Sequence, residues 1–243
     1  MLRTLSLAAA LAVAGTSQAA YVGGGLVSLD SWNTAASTAW GTQVTVFRMY
    51  AAFDGTSTTE DTVNSVFGAN LTFAANLSQT PGPFGSNVAP NSGFFGFDQT
   101  LQWDSYVSIG LLTDTTTVGG DGDGINFGPA SLTGGWFNSS PPNLIGQAQP
   151  DGTFGTGLNL VFLGQFTVMG DFGGLRADLV DIRSDGNFGN AGGVITQGTF
   201  NMGINSQDNP TAGGPEGIQF VPTPGAVALF GLAGLTAARR RRA

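Results

Sequence analysis

The 243-residue chain holds 39 glycines, only 10% charged residues against the usual quarter or so, and neither Cys nor His. It therefore forms no disulfide, has no thiol chemistry, and lacks a Ser-His-Asp triad and the usual zinc or copper ligands, so any bound metal must be hard and oxygen-liganded. The net charge of −8 argues against nucleic acid as a partner, and 41% hydrophobic with 10% aromatic residues argues against intrinsic disorder.

Arg3 supplies a positive n-region, Leu5–Ala14 an apolar h-region, and Ser17-Gln18-Ala19 or the adjacent Ala20 a small-residue cleavage site. Residues 1–20 thus read as a helical secretory signal peptide, handled by the Sec machinery. Residues 21–220 are enough for a single domain with a real core. In this span three arginines, Arg48, Arg176 and Arg183, face all sixteen acids, a net charge near −13.

In chain order, Tyr21–Leu29 is a predicted first strand. Gln43–Phe53 alternates Val44 and Val46 with Thr45, Phe47 and Met49, and Thr62–Ala75 is a further run around Val63, Val66, Leu71 and Phe73. Asn76–Ser92, dense in Pro, Gly, Ser and Asn, reads as a long surface loop. Phe94–Leu112 reads as a strand pair or one long bent strand, with Leu101, Trp103, Tyr106, Val107 and Ile109 as core candidates. Thr113–Gly124 reads as a polar loop. Further strands are predicted at Leu158–Phe162, Gly164–Met169, Leu175–Arg183, Gly193–Ile204 and Gly217–Phe220. No helical period stands out between residues 21 and 220. Short strands at roughly ten-residue spacing predict an all-β fold, an antiparallel β-sandwich or jelly roll. A β-solenoid is the main rival, but Phe-Gly recurs at Phe67, Phe84, Phe95, Phe127, Phe154, Phe172 and Phe188 without a common period.

Three constellations carry candidate chemistry. Asp121, Asp123 and Asn126 alternate on a Gly-rich stretch and are the candidate calcium ligands. The EF-hand pattern is absent, since Leu132 stands at the twelfth position, and a solvated turn is the favoured reading. Asp185, Asn187 and Asn190 form a second oxygen-rich set, which Asp185-Gly186 turns into a hairpin signal. The third is Trp32, Trp40, Trp103 and Trp136, with Tyr106 and Phe137. Trp136, in a loop-like Gly-Gly-Trp-Phe-Asn context, is the candidate sugar-stacking ring, with core packing as the competing and favoured role. Asp98 with Asp104, or Asp178 with Asp181, would be the pairs for a glycosidase, although nothing in the sequence sets their separation.

The last segment, residues 221–243, runs Val221-Pro222-Thr223-Pro224, an uncharged stretch Gly225–Ala238, then Arg239, Arg240, Arg241 and Arg242. As a helix the apolar stretch reaches about 21 Å, short of the roughly 30 Å of a hydrocarbon core, so it would pause in a membrane rather than anchor permanently. The arginines would stay on the cytoplasmic side. Prolines keep the lead extended.

This tail resembles the PEP-CTERM sorting signal of Gram-negative bacteria, a Pro-x-Pro motif preceded by Val, a short hydrophobic helix and an arginine cluster. Thr223 stands where the commonest form of the motif has Glu. The resemblance implies an exosortase, a membrane-embedded transpeptidase, as partner, and removal of the tail after a transient inner-membrane stage. An ordinary C-terminal anchor is the plainer alternative. The combined expectation is a secreted cell-surface or extracellular-matrix protein, not an enzyme, with a structural or adhesive role. A carbohydrate-binding module of the extracellular polysaccharide is the alternative, recognisable by two exposed coplanar Trp rings, and a glycosidase comes third.

Overall fold

The alternation along the second predicted strand sets the architecture. In the computed structural model, strand β2 (Val44–Phe53) puts Phe47, Met49, Ala51 and Phe53 on one face and Val44, Val46 and Ala52 on the other. Both faces are covered, so nearly the whole strand is buried. The structure describes residues 21–54, 62–73, 75–81, 83–113, 118–140, 145–154, 156–170, 180–189, 195–203 and 219–222, with backbone alone for 21–24, 67–68, 121–123, 180–189, 195–203 and 219–222.

The remaining strands are β1 (Tyr21–Val27), β3 (Thr62–Phe73), β4 (Tyr106–Val107), β5 (Val118–Gly128), β6 (Ser131–Asn138), β7 (Gln149–Pro150), β8 (Asn159–Met169), β9 (Val180–Gly189), β10 (Ile195–Gly203) and β11 (Gln219–Pro222). They form two antiparallel sheets. The first runs β11-β1-β2-β8-β4, with β7 also on β8; the second runs β10-β9-β3-β6-β5. The all-β expectation holds at this level.

One apolar cluster draws on both sheets. Leu26, Phe47, Phe53, Leu163 and Phe166 come from the first, and Val63, Val66, Leu71, Leu132 and Trp136 from the second. Each fully buried Phe or Leu contributes roughly 1.5–3 kcal/mol of transfer free energy, which makes this shared layer the main source of stability. The opposite face of the first sheet is covered by helix α1 (Asp30–Trp40), by the second of two 3-10 helices (Ser92–Phe94, which is exposed, and Gln99–Trp103), and by irregular chain such as that at Ala89.

Helix α1 corrects the expectation of no helix after the leader. Its Trp32, Ala36, Ala39 and Trp40 pack on Val44, Val46 and Trp103, and Gly41, at φ 64°, ends it in the left-handed conformation that glycine adopts without a Cβ penalty. The predicted strand or strand pair at 94–112 is instead 3-10 helix followed by the two residues of β4. All five of its core candidates are nevertheless buried: Trp103 and Tyr106 pack on the outer face of the first sheet, while Val107 and Ile109 join the cluster shared by the two sheets. Of the predicted loop at 113–124, residues 118–124 are instead the first part of β5, where Gly119 and Gly120 pair with Phe137 and Trp136 of β6; residues 114–117 lie outside the described residues. The two strands predicted at 158–162 and 164–169 are one strand, and the break between them is a bulge, where Met49 faces Gly164 and Tyr50 faces Phe162. The Asp185-Gly186-Asn187 hairpin signal is overturned: these residues lie within β9, paired to β10 on one side and β3 on the other.

Candidate functional site

Trp136 does not sit on a loop. It belongs to β6, is 1% exposed, and donates its indole N–H to the Ser108 carbonyl at 2.9 Å, so its ring is a core element and not a sugar platform. Trp103 is also buried, with its carbonyl accepting from the Trp40 indole at 3.3 Å. Trp32 carries the Arg48 guanidinium 4.1 Å above its ring, a cation–π contact. The two exposed, coplanar tryptophans that would mark a carbohydrate-binding surface are absent among these described rings.

Arg48 ties this layer to the sheet. Its Nε donates to Gln165 Oε1 at 2.9 Å, while Gln165 Nε2 donates to the carbonyls of Gln102 and Asp104 at 3.0 and 3.1 Å. Gln165 is fully buried with both ends of its amide engaged, which fastens the second 3-10 helix to β8.

The carboxylate pair Asp98 and Asp104 divides into two structural roles. Asp98 caps the second 3-10 helix, accepting from the Thr100 amide at 2.9 Å and its hydroxyl at 2.6 Å. Asp104 is 1% exposed and accepts from the Thr80 and Ser105 amides, both at 2.8 Å. Burial raises its pKa to about 7 against the pull of those hydrogen bonds. Its Oδ1 is occupied by loop amides, so the carboxyl closes a loop rather than facing a cleft. Asp178 lies outside the described residues, and Asp181 pairs through its backbone with Thr72 and Gly203.

Asp121 and Asp123 fall in β5, where the pairing with β6 is interrupted between Gly120 and Ile125, and Asn126 resumes it opposite Thr133, its side chain exposed. Among the described residues no group of three or more acidic side chains gathers to hold a cation. Of the tail motif, Val221 and Pro222 end β11, pairing with Gly24 and Gly23; Thr223, Pro224 and Arg239 to Arg242 lie outside the described residues. No described helix is long and apolar enough to cross a membrane.

The sequence reading missed a cleft of about 210 Å³ on the outer face of the first sheet. The loop after β7 builds one wall. Asp151 Oδ1 accepts from the amides of Thr153 and Phe154 at 2.9 and 2.7 Å, and Oδ2 from the amide and hydroxyl of Thr156 at 2.8 and 2.6 Å. Burial pushes the Asp151 carboxyl up, but these donors outweigh it and hold its pKa below the ordinary value. The pinned loop lays Phe154 against Tyr50 and Trp32, with ring centroids 5.6 and 6.2 Å apart in edge-to-face geometry. Phe162 also meets Tyr50 edge-to-face, at 5.6 Å. Burial raises the Tyr50 pKa, partly offset by the charge of Arg48 and its hydrogen bond, so the phenol stays neutral. The available sequence signal was Asp151 followed by Gly152, Thr153, Phe154, Gly155 and Thr156, a composition rich in the residues of a side-chain-closed turn.

A larger open groove of about 700 Å³ runs beside α1, lined by Asp30, Asn33, Thr34, Ser37 and Gln43 among others. Two of its polar groups are committed to the backbone of β2, Asn33 to Val46 and Ser37 to Val44. The smaller cleft combines rings and polar groups in one concave surface and is the stronger candidate for binding. No family model matches the chain, no curated protein matches it significantly, and no solved structure does.

Proposed function

We propose that this chain is an exported, exosortase-sorted protein of the cell surface or extracellular matrix of a Gram-negative bacterium, built as a β-sandwich with a structural or adhesive role. The observation that supports this reading best is the pairing of β1 with β11. Strand β1 starts at Tyr21, directly after the signal-peptide segment, and β11 ends at Pro222 of the sorting motif, with Gly23 opposite Pro222. Adjacent strands lie about 4.8 Å apart, so the points where leader and tail join the domain fall at one end of one sheet. Such an arrangement suits a precursor held by both ends at a single membrane face. The low content of charged residues and the many Gly, Asn, Thr and Ser residues of the chain suit a hydrated, polysaccharide-rich setting.

The proposal assigns the chain no catalysis, and Asp98 and Asp104 are accounted for as a helix cap and a loop clasp. The test is intact mass and fractionation of the protein from cells with and without an exosortase. Loss of the residues beyond the VPTP region in the first strain but not in the second, with material at the surface or in the matrix, is the expected result. A tail retained in the inner membrane of both strains would overturn the reading in favour of an anchored envelope protein.

A further inference from the structure

We propose that the cleft over Tyr50 binds one neutral sugar residue. A pyranose has an apolar face of C–H groups and a rim of hydroxyls, and the cleft matches both. Its apolar lining includes the rings of Tyr50, Phe154 and Phe162 and the side chain of Leu160, the two phenylalanines meeting Tyr50 edge-to-face. Its margin carries Gln149 and Thr153, both exposed; Gln149 Nε2 donates to the Gln147 carbonyl at 3.3 Å, which orients the amide, and its Oε1 and the Thr153 hydroxyl can exchange water for sugar hydroxyls.

Size sets the ligand at a single ring. The volume of about 210 Å³ falls below the roughly 300–1,000 Å³ of pockets that enclose drug-sized ligands. Charge sets its class. Among the described lining residues none is cationic, and Asp151 contributes a carboxylate at the wall; the nearby Arg48 guanidinium is already engaged by Tyr50, by Gln165 Oε1 and by the Trp32 ring. A uronate or sulfated sugar would therefore bring an anion beside an anion without a compensating donor, and a neutral hexose or N-acetylhexosamine would not.

The site is also built in advance. The four hydrogen bonds accepted by Asp151 fix the loop that carries Thr153 and Phe154, so little ordering is left for the ligand to impose. These bonds occupy both carboxylate oxygens, so Asp151 positions the wall, and Gln149 and Thr153 make the contact. The sorting proposal is independent of this one, because binding is read on the purified chain whatever its cellular address.

The experiment is saturation-transfer NMR and calorimetry on the full-length chain, with methyl glycosides of glucose, galactose, mannose and N-acetylglucosamine, and with methyl glucuronide as the anionic probe. The expected result is transfer to the ring protons of at least one neutral glycoside, with Kd on the order of 1 mM, and none to the glucuronide. Gln149→Ala and Thr153→Ala, at exposed positions, should each weaken binding about fivefold at unchanged Tm, the effect of one lost hydrogen bond. Phe154→Leu should weaken it further. No transfer from any neutral glycoside, equal transfer from the glucuronide, or binding unmoved by Gln149→Ala and Thr153→Ala together would overturn the proposal.

Discussion

Asn33 Oδ1 accepts the backbone N–H of Val46 at 2.8 Å, and one helical turn later Ser37 Oγ accepts that of Val44 at 3.1 Å. Strand β1 stops at Val27, opposite Arg48, so the first four residues of β2 have no strand neighbour on that side. Helix α1 takes the missing neighbour's place through two side chains spaced i and i+4. A sheet edge that would otherwise offer unpaired amides is thereby closed.

Removing either acceptor strands a buried amide. Asn33→Ala and Ser37→Ala should each lower stability by about 1–3 kcal/mol, and Asn33→Asp, which keeps the acceptor oxygen, should lose less than Asn33→Ala. Urea unfolding should show lower midpoints with unchanged slopes. Midpoints unchanged in the alanine variants would mean that water serves the β2 edge equally well.

Asp104 makes stability depend on pH in the direction opposite to that of an ion-paired carboxylate. Its folded pKa, raised by burial to about 7, lies above the usual unfolded value of about 3.9, so the folded chain holds the proton more tightly. The associated stability is complete below about pH 4 and is lost as pH rises towards 7, an amount of roughly 4 kcal/mol. Asp151, with its pKa lowered, has the opposite sign and acts only as pH falls below the normal carboxylate range. Asp104→Asn keeps an oxygen for the Thr80 and Ser105 amides. Thermal unfolding of both proteins between pH 4 and 8 should give a falling Tm for the wild type and a flatter curve for the variant. Parallel curves would show that Asp104 titrates normally.

Gly110 and Gly41 both have positive φ, 79° and 64°, but their surroundings differ. A Cβ on Gly110 would lie 1.5 Å from the Ile145 carbonyl oxygen, whereas a Cβ on Gly41 would meet nothing within 4 Å. Gly41→Ala should therefore cost about 1 kcal/mol, the conformational term alone. Gly110→Ala must displace backbone and should cost about 3 kcal/mol or more. Equal losses of Tm in the two variants would contradict the close approach of residues 110 and 145.

Burial was more legible in the sequence than element type. Leu101, Trp103, Tyr106, Val107 and Ile109 were identifiable as core from their apolar character, yet two of them lie in 3-10 helix and only Tyr106 and Val107 in a strand. Their burial needs only a face to cover: Trp103 and Tyr106 cover the outer side of the first sheet, and Val107 and Ile109 join the layer between the sheets. Helix α1 was hidden by its Ser, Thr and Asn content, which lowers intrinsic helix propensity. Its Trp32, Ala36 and Trp40 at i, i+4 and i+8, with Gly41 behind them, were the signal, and packing on Val44, Val46 and Trp103 outweighs the propensity. For Trp136 the favoured core role holds and only its loop-like setting does not, because the ladder to β3 and β5 holds its glycine neighbours extended.

Contiguous residues were enough for the leader and tail readings, for the chemistries excluded by missing Cys and His, and for the alternation of β2, because each depends on composition or local period. Tertiary structure alone decided that Gly23 lies opposite Pro222, and that Tyr50, Leu112, Gln149 and Phe154 line one cleft. Such neighbours are far apart in the chain and are brought together by strand order and register. Those follow from the total apolar surface the two sheets bury, which no local stretch of sequence specifies.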